Sequence, residues 1–335
     1  MDSSSAVALL DLAEELSPGM TGPHAAESIE QVDARSDEMV AAIAWFVEAG
    51  RTDEALRLAN ALYRLWIVKR RFEEGDRVFT EVLASGVGDP RLRARAFLHA
   101  GFMPFWMGDD GRAGSLFGQS LELARRLVDA PLISQALGGF ARVALRTDVP
   151  EGRRLAHEAL DVSEAADDEA GRSNALHLLG VGAQIAGDLF EARRWMAERL
   201  ALVRSLGNDF LVASEAANLS MVERQLGNLD VAAELDREAL VVGRRIGDEF
   251  TKPFAIAGLA AVATDQGKPV RAATLLGAAE AMMESQHMEW PPDERPHYEH
   301  ILAELPKAMG AAEFERVRKA GQLMASAEAV VFALA

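Results

Sequence analysis

The stretch Gly187-Asp188-Leu189-Phe190-Glu191-Ala192-Arg193-Arg194-Trp195-Met196, continued to Leu200 and Val203, decides the fold. Its apolar positions Leu189, Ala192, Trp195, Met196, Leu200 and Val203 recur every three or four residues, which is the spacing of one buried stripe on an α-helix. The Gly-Asp pair in front reads as a corner. Glycine accepts the left-handed conformation that ends one helix, and the aspartate side chain caps the free N–H groups of the next.

The same corner returns on both sides of Gly187. Gly108-Asp109, Thr147-Asp148, Gly187-Asp188, Gly227-Asn228 and Gly267-Lys268 follow one another at spacings of 39, 40, 40 and 40. Five residues after each comes a small side chain, Ala113, Gly152, Ala192, Ala232 and Ala272, and thirteen after the first four comes Leu121, Leu160, Leu200 or Leu240. A second corner divides each of those four units at Val128-Asp129, Asp167-Asp168, Gly207-Asn208 and Gly247-Asp248, so a unit of about forty residues is two helices. Thr147 and Val128 lack the glycine, and their corners are expected to be less regular. The pattern predicts helices over 36–49, 52–68, 72–85, 91–107, 109–127, 132–146, 150–166, 170–186, 188–206, 210–226, 228–246, 250–266 and 268–286. No stretch alternates as a half-buried strand would.

A helix pair cannot bury its stripe alone, so the pairs stack and the ends need caps of another kind. Residues 1–35 hold a helix over 5–16 and then a break at Ser17-Pro18-Gly19 and Gly22-Pro23, and read as an N-terminal extension. Residues 36–287 form the repeat solenoid. Trp290-Pro291-Pro292-Asp293 interrupts the pattern, and residues 288–335 read as a C-terminal cap with helices near 294–309, 311–323 and 326–334.

Composition removes several functions. Fifty-two acidic against 35 basic side chains give a net charge of -17, which repels a polyanion and excludes nucleic acid as a direct partner. Zero cysteines remove thiol chemistry and every cysteine-ligated metal, and fit a reducing compartment. The longest apolar stretch, Phe254 to Ala263, is about half of the ~20 residues a membrane helix needs, and Met1 to Leu16 lacks the basic start of a signal peptide. A soluble, cytoplasmic protein without membrane contact is expected.

Within the units a small residue usually lies seven before the corner, at Gly101, Gly180, Ser220 and Ala260, with Phe140 departing from the pattern. Leu179-Gly180 followed by Ala192 resembles the small-residue contacts of tetratricopeptide repeats, in a unit longer than their usual length of about 34 residues. The longer unit resembles the MalT-like repeat region of large bacterial transcriptional regulators. Ala42-Ile43-Ala44-Trp45, Trp66 and Arg71-Phe72-Glu73-Glu74-Gly75 look like its opening in actinobacterial LuxR- and AfsR-type ATPase regulators. Arg271-Ala272-Ala273-Thr274-Leu275-Leu276-Gly277-Ala278-Ala279-Glu280, Pro291-Pro292, Phe314, Gly321 and Ala327 to Leu334 are similar to its end. The resemblance covers about residues 36–334 and implies an all-α, right-handed superhelical solenoid with helical caps. It also implies a sensor region, either part of a larger regulator or a stand-alone relative. No phosphate loop accompanies it, because the Gly108 to Ser115 cluster lacks the lysine and a preceding strand.

Catalytic patterns are missing from the sequence, and no enzyme and no cofactor is expected. His297 and His300, with Glu294, have helical metal-ligand spacing, but a solvated face after a Pro-rich break is the simpler account. Asp109-Asp110 and Asp167-Asp168 fit caps. What remains is the inner groove, lined by positions six and three before and one, four and five after the small residue. These give Arg95, Leu98, Phe102, Phe105 and Trp106, then Asn174, His177, Val181, Gln184 and Ile185, then Ser214, Ala217, Met221, Arg224 and Gln225, with Thr264 and Asp265 beyond. Arg95, Phe102, Phe105, Trp106, Asn174, His177, Gln184, Ser214, Met221, Arg224 and Gln225 are the candidate contacts for a peptide, protein or small-molecule effector. Packing of Phe102, Phe105 and Trp106 against neighbouring helices is the competing role. A scaffold joining two proteins through the same face is the alternative function, and homo-oligomerisation stays open.

Overall fold

The computed structural model describes residues 1–20, 25–286, 288–290 and 295–335, with the side chains of residues 296 and 297 not included. Among the described residues every regular element is helical: α1 (Ser3–Leu16), a 3₁₀ turn (Ser17–Met20), α2 (Ala25–Asp33), α3 (Ser36–Glu48), α4 (Thr52–Val68), α5 (Phe72–Ala84), α6 (Pro90–Met107), α7 (Asp110–Leu127), α8 (Ala130–Ala144), α9 (Val149–Ala165), α10 (Glu169–Ile185), α11 (Leu189–Ser205), α12 (Asp209–Gln225), α13 (Leu229–Ile246), α14 (Lys252–Asp265), α15 (Pro269–Ser285), α16 (Arg295–Met309), α17 (Ala311–Gln322) and α18 (Ser326–Leu334). The repeat helices fall within about two residues of the spans set by the corners. Helix α2 is an addition to the expected set, because its anchoring residues Ile29 and Val32 are too few to show a period.

The corners work as their chemistry requires. Gly108, Gly187, Gly207, Gly227, Gly247 and Gly267 all have positive φ. The side chains of Asp109, Asp129, Asp148, Asp168, Asp188 and Asn208 each accept the backbone N–H three residues on. Asn228 is an exception, its amide donating to Glu223 instead at 2.6 Å. The two corners without glycine differ from each other. Val128 still takes the left-handed conformation, at φ 54°, and the closing bond from Asp129 N–H to the Ala124 carbonyl forms at 3.0 Å. At Thr147 the Asp148 N–H reaches only to the Ala144 carbonyl, one residue closer than at the other corners. That extra residue in the corner shifts α8, so Gly139, not Phe140, takes the small-residue place.

The chain packs as two compact units, Met1–Gly187 and Asp188–Ala335. In the first, the opening helices of successive pairs, α4, α6, α8 and α10, lie side by side, with α5, α7 and α9 behind them. Its core includes Trp66, edge-on to Phe79 at 5.5 Å, and residues 1–35 contribute Leu9, Leu10, Met20 and Val32 to the same cluster. Trp45 is only half-buried, against Phe46. Phe117 is wholly buried between α6 and α8, where a Cβ on Gly101 or Gly139 would lie 2.6 or 2.5 Å from its ring.

The second unit stacks α12 on α13 and α14 on α15, with α17 crossing α15. Gly277 and Gly321 make that crossing: a Cβ on Gly277 would lie 2.0 Å from the Arg318 carbonyl oxygen, and one on Gly321 would lie 2.1 Å from that of Thr274. Beside the crossing, Glu280 accepts from the Tyr298 hydroxyl at 2.8 Å, Arg318 Nε at 2.7 Å and Gln322 Nε2 at 3.0 Å.

Two outcomes follow. A valine in the left-handed region costs about 1–2 kcal/mol, more than a glycine loses in the unfolded chain, so Val128→Gly should raise the urea midpoint by an amount worth about 0.5–1 kcal/mol. A lowered midpoint would contradict this. Gly277→Ala meets backbone that cannot yield and should cost about 1–3 kcal/mol, with α16–α18 becoming protease-sensitive first. Unchanged thermal stability would mean that the helices are not held at this crossing.

Candidate functional site

The side-by-side face of α4, α6, α8 and α10 in the first unit collects most of the polar and aromatic groups expected in a groove. Tyr63 of α4 stacks on His99 of α6, centroids 4.1 Å apart and planes 6° apart. Asn60 fixes the His99 ring through a 2.9 Å contact with Nδ1 and donates to the Leu92 carbonyl at 3.2 Å. Phe102 joins this floor, 5.8 Å from Tyr63, 6.5 Å from Phe105 and 5.1 Å from Phe117. Both Tyr63 and His99 are enclosed by protein on nearly all sides while keeping part of their surface open. Burial, helped by the Arg95 charge, lowers the His99 pKa to about 3, so the ring is neutral near neutral pH. Burial also raises Tyr63 to about 12 against the opposing pull of Arg64 and Arg142.

The sequence-derived residues of this unit separate into three kinds. Phe105 is buried and lies under the Arg146 guanidinium, 3.7 Å from its ring, so it packs the core; Phe102 is half-buried in the ring cluster. Trp106 is 52% exposed and lies parallel to Phe72 at 6.3 Å. Arg95 is exposed with no ion-pair partner among the described residues. Asn174 accepts from Arg142 at 2.7 Å across α8 and α10, and His177 and Gln184 are half-buried on α10.

In the second unit Ser214 is half-buried and Gln225 exposed. Met221 and Arg224 meet the chain's own C-terminal segment rather than an open groove. With Phe254 of α14 and Trp290, Tyr298 and Ile301 they line a cavity of about 30 Å³, room for roughly one water. Trp290 stacks on Tyr298 at 5.0 Å and meets Phe254 edge-on at 6.0 Å. Arg224 donates to Asp265 at 2.8 Å, and His300 lies 3.6 Å from the other oxygen of that carboxylate. Among the described residues no three histidines or carboxylates are grouped to hold a metal; Glu294 and the His297 side chain lie outside the described residues.

The positions missed in the sequence are Asn60, Tyr63, Arg64, His99 and Arg142. Asn60 and Arg64 stand 38 residues before Leu98 and Phe102, in the same inner places, but their corner is Arg70-Arg71, where Arg70 rather than glycine takes φ 55°. The glycine column stopped one pair short for that reason.

No protein-family model matches the chain. Proteins of Mycobacterium bovis and Mycobacterium tuberculosis that carry the name HTH-type transcriptional regulator are 26% identical over 267 residues, an alignment covering 74% of this chain. The chain spans about 30% of the length of these curated relatives. Among solved structures, a Rap protein complexed with competence and sporulation factor superposes with a TM-score of 0.55 at 14% identity, over 99% of this chain and 96% of that one. A signal transduction ATPase with numerous domains and a tetratricopeptide repeat sensor, from Pyrococcus horikoshii, gives 0.52 at 12% identity, over 96% of this chain and 55% of that one. NprR in complex with its cognate peptide gives 0.52 at 14% identity, over 85% and 86%. The fold is a helical solenoid of the tetratricopeptide type.

The neutral His99 has a measurable consequence. Its folded pKa of about 3 lies below the ordinary 6.5, so the unfolded chain binds the proton first and the contribution is full above about pH 6.5 and lost as pH falls toward 3. Between about pH 7 and about pH 5 the wild type should lose about 1–2 kcal/mol more than His99→Gln in denaturant titrations. Parallel losses would show that this ring takes up its proton in the folded protein.

Proposed function

We propose that the chain is the effector-binding module of a transcriptional regulator, a MalT-like repeat region that holds a peptide or small effector on the first-helix face of its N-terminal unit. The observation that carries this is the partly open floor of Tyr63, His99 and Phe102 beside the exposed Arg95 and Trp106. Apolar surface of this kind supplies affinity and the fixed polar groups supply orientation. The similarity to HTH-type regulators, of whose length the chain spans about a third, supports a module working within or beside a larger regulator. The Rap and NprR structures, each holding a signalling factor or cognate peptide, support an effector-binding use of the fold.

The module acts by binding, not catalysis, and works in the cytoplasm; no helix among the described residues is long and apolar enough to cross a membrane. Because each helix pair contacts only its neighbours, a ligand spanning several pairs shifts the population of their arrangements at modest cost.

Native mass spectrometry of the chain incubated with the low-molecular-mass fraction of its source cells tests this. A discrete adduct is expected, lost in the doubly substituted Arg95→Ala, Trp106→Ala chain, whose changes are at exposed positions and should leave the fold intact. Identical spectra with and without the fraction, across growth conditions, would overturn the reading.

A further inference from the structure

The first helices of the pairs in the first unit are poor in carboxylates. Helices α6 and α8 contain Arg91, Arg93, Arg95 and Arg142 and not one carboxylate, although the whole chain carries -17. Behind them, α5 has Glu73, Glu74, Asp76 and Glu81 against the single Arg77, and α9 has Glu151, Glu158, Asp161 and Glu164 against Arg153 and Arg154, while α7 is mixed, with Asp110 and Glu122 against Arg112, Arg125 and Arg126. The carboxylates of α4 and α10 are confined to their first turns, at Asp53, Glu54 and Glu169. A cationic strip is thus built on one face of an acidic protein.

Two of its arginines have no counter-charge. Arg64, at an inner place of α4, has its Nε buried without a hydrogen-bond partner and no ion pair among the described residues. Arg95 of α6 is exposed and equally without an ion pair among them. By contrast Arg91 is committed to Asp129 at 2.6 Å, and Arg93 to the Val87 carbonyl at 3.0 Å. The Arg64 side chain is only half-buried, and a guanidinium without a counter-charge takes a carboxylate bidentately. The charge of Arg64 acts on Tyr63 and that of Arg95 on His99, so the Tyr63–His99 stack neighbours both and offers a flat surface for the remainder of a ligand.

We propose that this face binds an extended acidic peptide across α4 and α6, with its carboxylates on Arg64 and Arg95 and its apolar side chains on Tyr63, His99 and Phe102. The reach argues for a peptide. Arg64 stands at the place of Phe102, seven residues or about 10 Å further along its helix than the place of Arg95, and packed helix axes are about 8–10 Å apart, so the two positions are roughly 14 Å apart, the length of about four extended residues. The general acidity of the chain works against capture of any polyanion, which leaves local pairing as the source of selectivity.

This deepens the effector reading and rests on it, and defined peptides separate the two. Fluorescein-labelled peptides of about eight residues, alternating glutamate and leucine, glutamine and leucine, or lysine and leucine, are titrated with the full chain by fluorescence anisotropy. Saturable binding of the glutamate peptide alone is expected. Arg95→Ala and Arg64→Gln should each weaken it roughly tenfold, the loss for one hydrogen-bonded charge pair, while Arg77→Ala on α5 should leave it unchanged. Equal binding of the glutamine peptide would overturn the proposal, as would an Arg95→Ala chain no weaker than Arg77→Ala. Competition by free glutamate as effective as by the whole peptide would overturn the extended peptide as occupant. Any of these with the cell-derived adduct intact removes the acidic class and leaves effector binding standing.

Discussion

Close approach of neighbouring helices is the constraint from which the rest follows. A forty-residue helix pair has one apolar stripe on each helix and can bury both only against the pairs before and after it. Phe117 shows how little room there is, since its ring fills the space that Cβ atoms on Gly101 and Gly139 would need. The same rule operates where the second unit ends, at the backbone contact of Gly277 and Gly321. Small residues at these places do not merely permit packing. They set which side chains of the first helices are left facing the open side.

Charge is arranged around this packing rather than driving it. Ion pairs link successive pairs along each unit, as in Arg112 with Asp76, Arg146 with Asp110 and Arg245 with Asp209, all partly exposed and individually worth little. The buried Arg199–Glu215 pair differs, because removing one partner would leave a charge without solvent; Asn218 gives Glu215 a further bond at 3.2 Å. With most carboxylates spent on caps, corner pairs and the outer helices, the inner face of the first unit is left with arginines in excess.

The two units put the same inner positions to opposite uses. In the first, Tyr63, His99 and Phe102 form a floor that remains partly open. In the second, Met221 and Arg224 are covered by Trp290, Tyr298 and Ile301, and Glu280 ties Tyr298 and Arg318 into place. Burial together with the bond to Glu280 raises Tyr298 to about 12, which keeps its hydroxyl as the donor of that tie.

The sequence by itself determined the helices, their pairing and most of their ends, because a corner glycine and the aspartate that follows act through a few residues of local backbone. It also placed Arg95, Phe102, Asn174 and His177 on inner positions as an expectation from periodicity, and of these Phe102 touches Tyr63 of α4 and Asn174 touches Arg142 of α8. It did not reveal α2, whose two anchoring residues are too few to show a period, or the one-residue shift of α8, which goes with the Asp148 N–H bonding four residues back instead of five. Only the tertiary structure decided which inner positions are open. That Phe105 is core, that Arg224 is spent on Asp265, and that Tyr63 lies on His99 are facts about residues some forty apart in the chain. Such contacts depend on how one pair of helices settles against the next, and a local pattern does not encode that.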